Sequence, residues 1–152
     1  MKNKFKAFTL IELLIVISII GLLATTMVIA INPSKQLAKA RDGQREGDVY
    51  SIFSYVQQYK SEHNGTLPDT DGDPETNNFP TSLTCIGSSG GCFNLAGAGD
   101  DDESIVPDYA AALPTDPKTG SGVNTGYLIM VDAYGHITAS ASGETKTISI
   151  TR

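Results

Sequence analysis

Residues 8–31, FTLIELLIVISIIGLLATTMVIAI, hold one charge, Glu12, and residues 13–31 hold none. As a helix this stretch would extend about 36 Å at 1.5 Å per residue, against a hydrocarbon core of about 30 Å. A small domain has no interior large enough to cover such a run on all sides, so it reads as a membrane-spanning anchor. Lys2, Lys4 and Lys6 precede it and should remain cytoplasmic, which sends the rest of the chain outward. An ordinary secretory signal has a shorter apolar region followed by a small-residue cleavage site. Here the small residue, Ala7, comes first, so the anchor is expected to survive processing. Glu12 then needs a partner, because a carboxylate in the bilayer costs up to a few kcal/mol, less near an interface.

The remainder is acidic. The formal charge is -6, and removal of Lys2, Lys4 and Lys6 takes it to -9. Such an exterior argues against general affinity for nucleic acid. With about thirty of the 152 residues spent on leader and anchor, what is left suits one small domain with a modest core. The expected division is residues 1–7 as a cleaved leader, 8–33 as the anchor and 34–152 as the exported domain.

Asn32-Pro33-Ser34 punctuates the helical pattern, since Pro33 lacks an amide donor and disfavours helical geometry at Asn32. Ser34 is a plausible N-cap for a second helix over residues 35–63. Val49, Ile52, Phe53 and Val56 follow the i, i+3, i+4, i+7 spacing of one buried face, and Tyr59 extends it. Gly43 and Gly47 weaken the middle of this helix by about 1 kcal/mol each relative to Ala. Arg41, Asp42, Arg45 and Glu46 are expected in solvent or against neighbouring molecules, and Asn64-Gly65 is the stop. Residues 66–125 are rich in turn formers and read as a long connection. Residues 127–131, 136–141 and 146–151 read as three strands of an antiparallel meander. Neither a three-stranded sheet nor one amphipathic helix buries its apolar side alone. The fold expected is therefore α+β: a long hydrophobic helix continuing into an amphipathic one packed on a C-terminal three-stranded antiparallel sheet.

Cys85 and Cys92 bracket a flexible Ile-Gly-Ser-Ser-Gly-Gly segment, and in an exported domain a disulfide is the default. Asp69, Asp71, Asp73 and Glu75 alternate along a turn and are the candidate ligands for a hard cation such as calcium. They do not form an EF-hand, because Pro74 stands where that loop needs Gly and Pro80 where it needs Glu. A solvated acidic turn is the plainer account, and it serves also for Asp100, Asp101, Asp102 and Glu103. His63 and His136 are expected at the surface. Tyr50, Tyr55 and Tyr59 read as ordinary packing residues. No serine, histidine and acid group forms a nucleophilic motif, so no enzymatic activity is expected.

The segment Ala7-Phe8-Thr9-Leu10-Ile11-Glu12-Leu13-Leu14, with Gly21 in IIGLLA, resembles the class III leader of the type IV pilin superfamily, which includes the pseudopilins of type II secretion. The resemblance implies cutting between Ala7 and Phe8 by a prepilin peptidase, N-methylation of Phe8, and assembly into a helical filament. It also implies an assembly ATPase and a platform protein as partners. Glu12, fifth from the new terminus, would pair with a neighbouring subunit's amino group. A weaker resemblance lies in Leu113-Pro114-Thr115-Asp116-Pro117, similar to the turn that joins helix and sheet in many pilins and major pseudopilins. The implied location is a single-pass inner membrane state before assembly and an extracellular pilus after it. A type II pseudopilin and a membrane-tethered, calcium-dependent binding module are the alternative readings.

Overall fold

The computed structural model describes residues 7–73, 76–100 and 103–152. Chain packing divides it into two units, one ending at Leu37 and the other Ala38–Arg152.

The first unit holds helix α1, Leu10–Ile31. Thr9 is its N-cap and forms a capping box with Glu12: the Glu12 amide donates to Thr9 Oγ1 at 3.3 Å, and the Thr9 amide donates to Glu12 Oε2 at 3.4 Å. The helix is long and apolar enough to cross a membrane, and none of its residues is buried. Its few hydroxyls do not stay idle: Ser18 donates to the Leu14 carbonyl, Thr25 to Gly21 and Thr26 to Leu23, which lets them enter hydrocarbon satisfied. At its end Asn32 adopts a left-handed conformation with φ 47°.

Helix α2 spans Pro33–Glu62. The expected cap at Ser34 is corrected here. Proline is pre-organised for the first helical position, so the helix starts at Pro33 and the Asn32 Oδ1 accepts from the Lys35 amide at 3.3 Å. At the other end the Gly65 amide donates to the Lys60 carbonyl at 2.8 Å, with Asn64 at φ 53°, which is a Schellman stop.

Within Ala38–Arg152, four strands form one antiparallel sheet in chain order: β1 Thr84–Cys85, β2 Tyr127–Val131, β3 Ile137–Ala141 and β4 Ile148–Thr151. Three strands were expected; the fourth, β1, is two residues long and so has no alternation to show in sequence. It pairs Thr84 with Ile129 and Cys85 with Leu128. The expected strand starts at His136 and Lys146 shift inward by one and two residues. Asp132 takes the His136 and Tyr134 amides into a turn, and Asp42 takes the amides of Glu144 and Thr145.

The expected stripe of α2 is the core. Val49, Ile52, Phe53, Val56 and Tyr59 are buried with Tyr127, Ile129, Ile137, Ala139, Ala141 and Ile148 of the sheet, each large side chain contributing about 1.5–3 kcal/mol. Small residues face large ones across the strands, with Ala141 opposite both Tyr127 and Ile148. Tyr50, by contrast, is exposed.

Candidate functional site

Two constellations stand out, one in each unit. In the first, Ala7, Phe8 and Glu12 lie exposed at the start of α1. The contacts from Glu12 to Thr9 are all 3.3–3.4 Å, at the long end for hydrogen bonds, so the carboxylate is held loosely at its own helix start. There it stabilises the helix N-terminus, where backbone donors are unpaired and negative charge is favoured. A Thr-x-x-Glu signal marks this box in sequence, and it adds a second role for Glu12 beside the one expected. Residues 1–6, including the three lysines of the leader, lie outside the described residues.

The second constellation overturns the expectation that Asp42 and Arg45 are solvated. They are 1% and 2% exposed. The Arg45 guanidinium donates through Nε and Nη2 to both oxygens of Asp116, and through Nη1 to Asp42 Oδ1 at 2.8 Å and Glu144 Oε1 at 3.1 Å. Asp42 also accepts the Glu144 amide at 2.8 Å, the Thr145 amide at 2.7 Å and the Thr145 hydroxyl at 2.6 Å. Asp116 further accepts from the amides of Lys118 and Thr119 and from the Thr119 hydroxyl. Arg41 grips Glu144 through two nitrogens, and Lys118 reaches the same carboxylate at 3.0 Å.

Three cations and three carboxylates thus tie α2 to the 116–126 loop and to the β3–β4 turn. Two glycines make room. Gly126, at φ 85°, would bring a Cβ within 2.8 Å of the Asp116 Cβ, and at Gly143 a Cβ would lie 2.0 Å from the Lys146 carbonyl oxygen. Asp116 belongs to the Leu-Pro-Thr-Asp-Pro turn noted in sequence, whose aspartate therefore has a structural task here. The signal that was available is charge spacing: Arg41, Asp42 and Arg45 cluster on one turn of a helix otherwise facing a sheet.

Asp42 is held well below the ordinary carboxylate range, first by the Thr145 hydroxyl and then by the Glu144 amide. Asp116 is lowered first by Arg45, and Glu144 first by Arg41 and then Lys118. Arg45 is raised, mainly by Asp116. The sign follows from linkage: folded values lie below the unfolded 3.8 of Asp and 4.5 of Glu, so the stabilisation is complete above about pH 5 and is lost as pH falls from there. Asp69, raised by burial, works in the opposite sense, its contribution being lost as pH rises through its folded value. Three groups outweigh one, and the melting temperature of the domain is expected to drop steeply between about pH 5 and 2. Thermal melts across that window check it; a flat profile would mean that the cluster adds nothing to stability.

Cys85 and Cys92 are joined, with Cα atoms 4.6 Å apart. Cys85 lies within β1, so the bond pins a sheet edge and not just a loop. Reduction is expected to lower stability by on the order of 2 kcal/mol and to loosen β1 while α2 and β2–β4 persist. Peptide mapping and melting with and without reductant test this, and a melting curve indifferent to reductant would contradict it.

Asp69 is not a solvated residue but is 2% exposed, and its Oδ1 accepts from the Gly72 amide at 3.4 Å. Asp71 accepts from the Asp73 amide and the Thr76 hydroxyl, so these oxygens serve their own turn. Glu75 lies outside the described residues, as do Pro74, Asp101 and Asp102. Among the described residues no group of three or more His, Cys, Asp or Glu is gathered as a metal site. His63 stacks on Tyr59 with ring centroids 3.9 Å apart, and His136 lies 2.9 Å from Asp132. The Tyr59 hydroxyl donates to Asp100, and burial pushes this phenol up to about 12. Residues 61–117 contain no lysine or arginine and eleven acidic residues, so the chain's excess negative charge is concentrated in this stretch.

Residues 2–28 match a family model described as the prokaryotic N-terminal methylation motif. The chain carries a prepilin-type methylation motif. No curated protein and no solved structure matches the chain. The methylation motif and the apolar helix α1 together make the N-terminus a class III leader of the type IV pilin and pseudopilin kind. The α+β arrangement of Ala38–Arg152 is pilin-like, with four strands in its sheet. The motif implies processing by prepilin peptidase and assembly into pili or pseudopili.

Proposed function

We propose that this chain is the precursor of a structural, non-enzymatic subunit of a type IV pilus-like filament. The observation that carries the reading is the methylation motif joined directly to a helix whose apolar side chains are exposed along its whole length. An exposed apolar surface of this size is stable only in lipid or against other protein. Before assembly lipid covers α1; after assembly the α1 helices of other copies do.

In this reading cleavage between Ala7 and Phe8 frees an amino group close to the first turn of α1. Glu12 sits in that turn, loosely bound to Thr9 and able to leave it. An incoming subunit brings its terminal amine to the Glu12 carboxylate in surroundings where neither charge has water. The same cleavage removes Lys2, Lys4 and Lys6. An assembly ATPase and a platform protein would extract the subunit from the membrane.

The mature protein is expected to begin at a methylated Phe8. Mass spectrometry of its terminus tests this, and a terminus after Ala24 or Ala30 would reveal an ordinary secretory cut and reject the reading. Deleting the gene separates pilus from secretion roles: loss of sheared surface fibres supports the pilus assignment, whereas intact fibres with failed export of secreted proteins would make the chain a pseudopilin.

A further inference from the structure

The turn that stops α2 also carries the sequence Asn64-Gly65-Thr66, an Asn-x-Thr acceptor pattern with a residue other than proline in the middle. The chain's one other Asn-x-Ser/Thr triplet, Asn32-Pro33-Ser34, is disqualified by its proline. We propose that Asn64 is a site of N-linked glycosylation, the donor being an oligosaccharide carried on a polyprenyl pyrophosphate. The proposal rests on the reading of α1 as an export anchor, which delivers Ala38–Arg152 to the side of the membrane where such donors are used.

The local structure suits the task. Asn64 occupies the left-handed position of the Schellman stop, and Gly65 follows at φ 95°. The backbone there is satisfied: Gly65 donates to the Lys60 carbonyl at 2.8 Å and Thr66 to the His63 carbonyl at 2.9 Å. The side chains are not engaged. Asn64 and Thr66 are both exposed, and among the described residues neither the Asn64 amide nor the Thr66 hydroxyl has a hydrogen-bond partner. Asparagine tolerates a left-handed cap, which accounts for Asn64 by itself. It does not call for Thr66, whose exposed hydroxyl is open to solvent and so to a transferase, whereas an acceptor site needs both groups.

The chemistry is a substitution without redox change. The Asn64 Nδ2 forms a bond to the anomeric carbon of the sugar, and the bond from that carbon to the pyrophosphate oxygen breaks. The polyprenyl pyrophosphate departs with the bonding electrons, and one Nδ2 proton passes to a base of the transferase. The product is a glycosyl amide at the end of α2, beside Glu62 and Glu103, whose carboxylates share the Tyr109 hydroxyl at 3.1 and 3.0 Å. A neutral, hydrated sugar would cover part of a stretch that carries only negative charge.

The test uses the full chain isolated from its own cells, digested with a protease that cuts at acidic residues. The peptide containing Asn64 is expected to be heavier by whole sugar residues. Asn64→Gln and Thr66→Ala should each abolish the added mass, and Thr66→Ser should keep it; none of the three changes should alter cleavage before Phe8. A mature protein that begins at Phe8 with an unmodified Asn64 overturns the proposal and leaves the export reading intact. Conversion of Asn64 to Asp without sugar, the spontaneous loss of ammonia open to an Asn-Gly pair, overturns it too, as does a sugar that persists in Thr66→Ala. A chain still bearing Met1 would sink the export reading and the proposal with it.

Discussion

Replacing Glu12 by Gln should leave a subunit that is inserted and cleaved but does not polymerise. The substitution is selective because a glutamine at the third helical position still serves a capping box, so the Thr9 cap and the start of α1 survive. Ala7 and Phe8 are untouched. What disappears is the negative charge available to a neighbour's terminal amine. An amine left without its counter-ion away from water is destabilised by about 3–5 kcal/mol, which corresponds to at least a hundredfold loss in assembly. Paired measurements decide it: immunoblotting for cleaved, membrane-resident subunit and quantification of sheared fibres. Normal fibre yield would reject the charge pairing, while loss of cleavage would transfer the role of Glu12 to recognition by the peptidase.

The second large effect is expected at Arg45. Arg45→Met keeps length and apolar volume but leaves Asp42 and Asp116 buried without their shared cation. Breaking a buried pair from one side destabilises by about 3–5 kcal/mol. For a unit of this size that lowers the melting temperature by roughly 10–20 °C. Arg45→Lys should rescue little, since one ammonium cannot reproduce the fork that spans two carboxylates. Thermal unfolding of the detergent-solubilised chain, followed by near-ultraviolet circular dichroism, is the measurement. A loss below about 1 kcal/mol would place this ion pair with ordinary surface pairs.

Sequence and structure agree best where a single periodicity governs. The apolar run of α1, the Val49 to Tyr59 stripe and the residues of β2 were legible because lipid or one core face imposes a repeat on them. They part where contacts join distant segments. Nothing local tells that Asp42 will meet Thr145 and Glu144, or that Arg45 will meet Asp116; the charges look like a solvated helix face until the loop and turn arrive. Asp69 was misjudged for the same reason, since its burial comes from the fold of residues around it and not from its acidic neighbours. Strand β1 was missed because two residues carry no period, although Cys85 within it was singled out for its chemistry. At the N-terminus the motif and the Thr-x-x-Glu pattern of the Thr9–Glu12 box are both local and so both legible.

The absence of lysine and arginine from residues 61–117 has a consequence for survival outside the cell. This stretch holds most of the irregular backbone of Ala38–Arg152, and exposed irregular backbone is where proteases nick folded proteins. Trypsin-like enzymes need a cationic side chain at the cut. They find Lys60 inside the last turn of a packed helix and Lys118 in the loop fastened by Asp116, with no target between them. The most vulnerable backbone of the domain is therefore closed to a major class of extracellular peptidase by its composition alone.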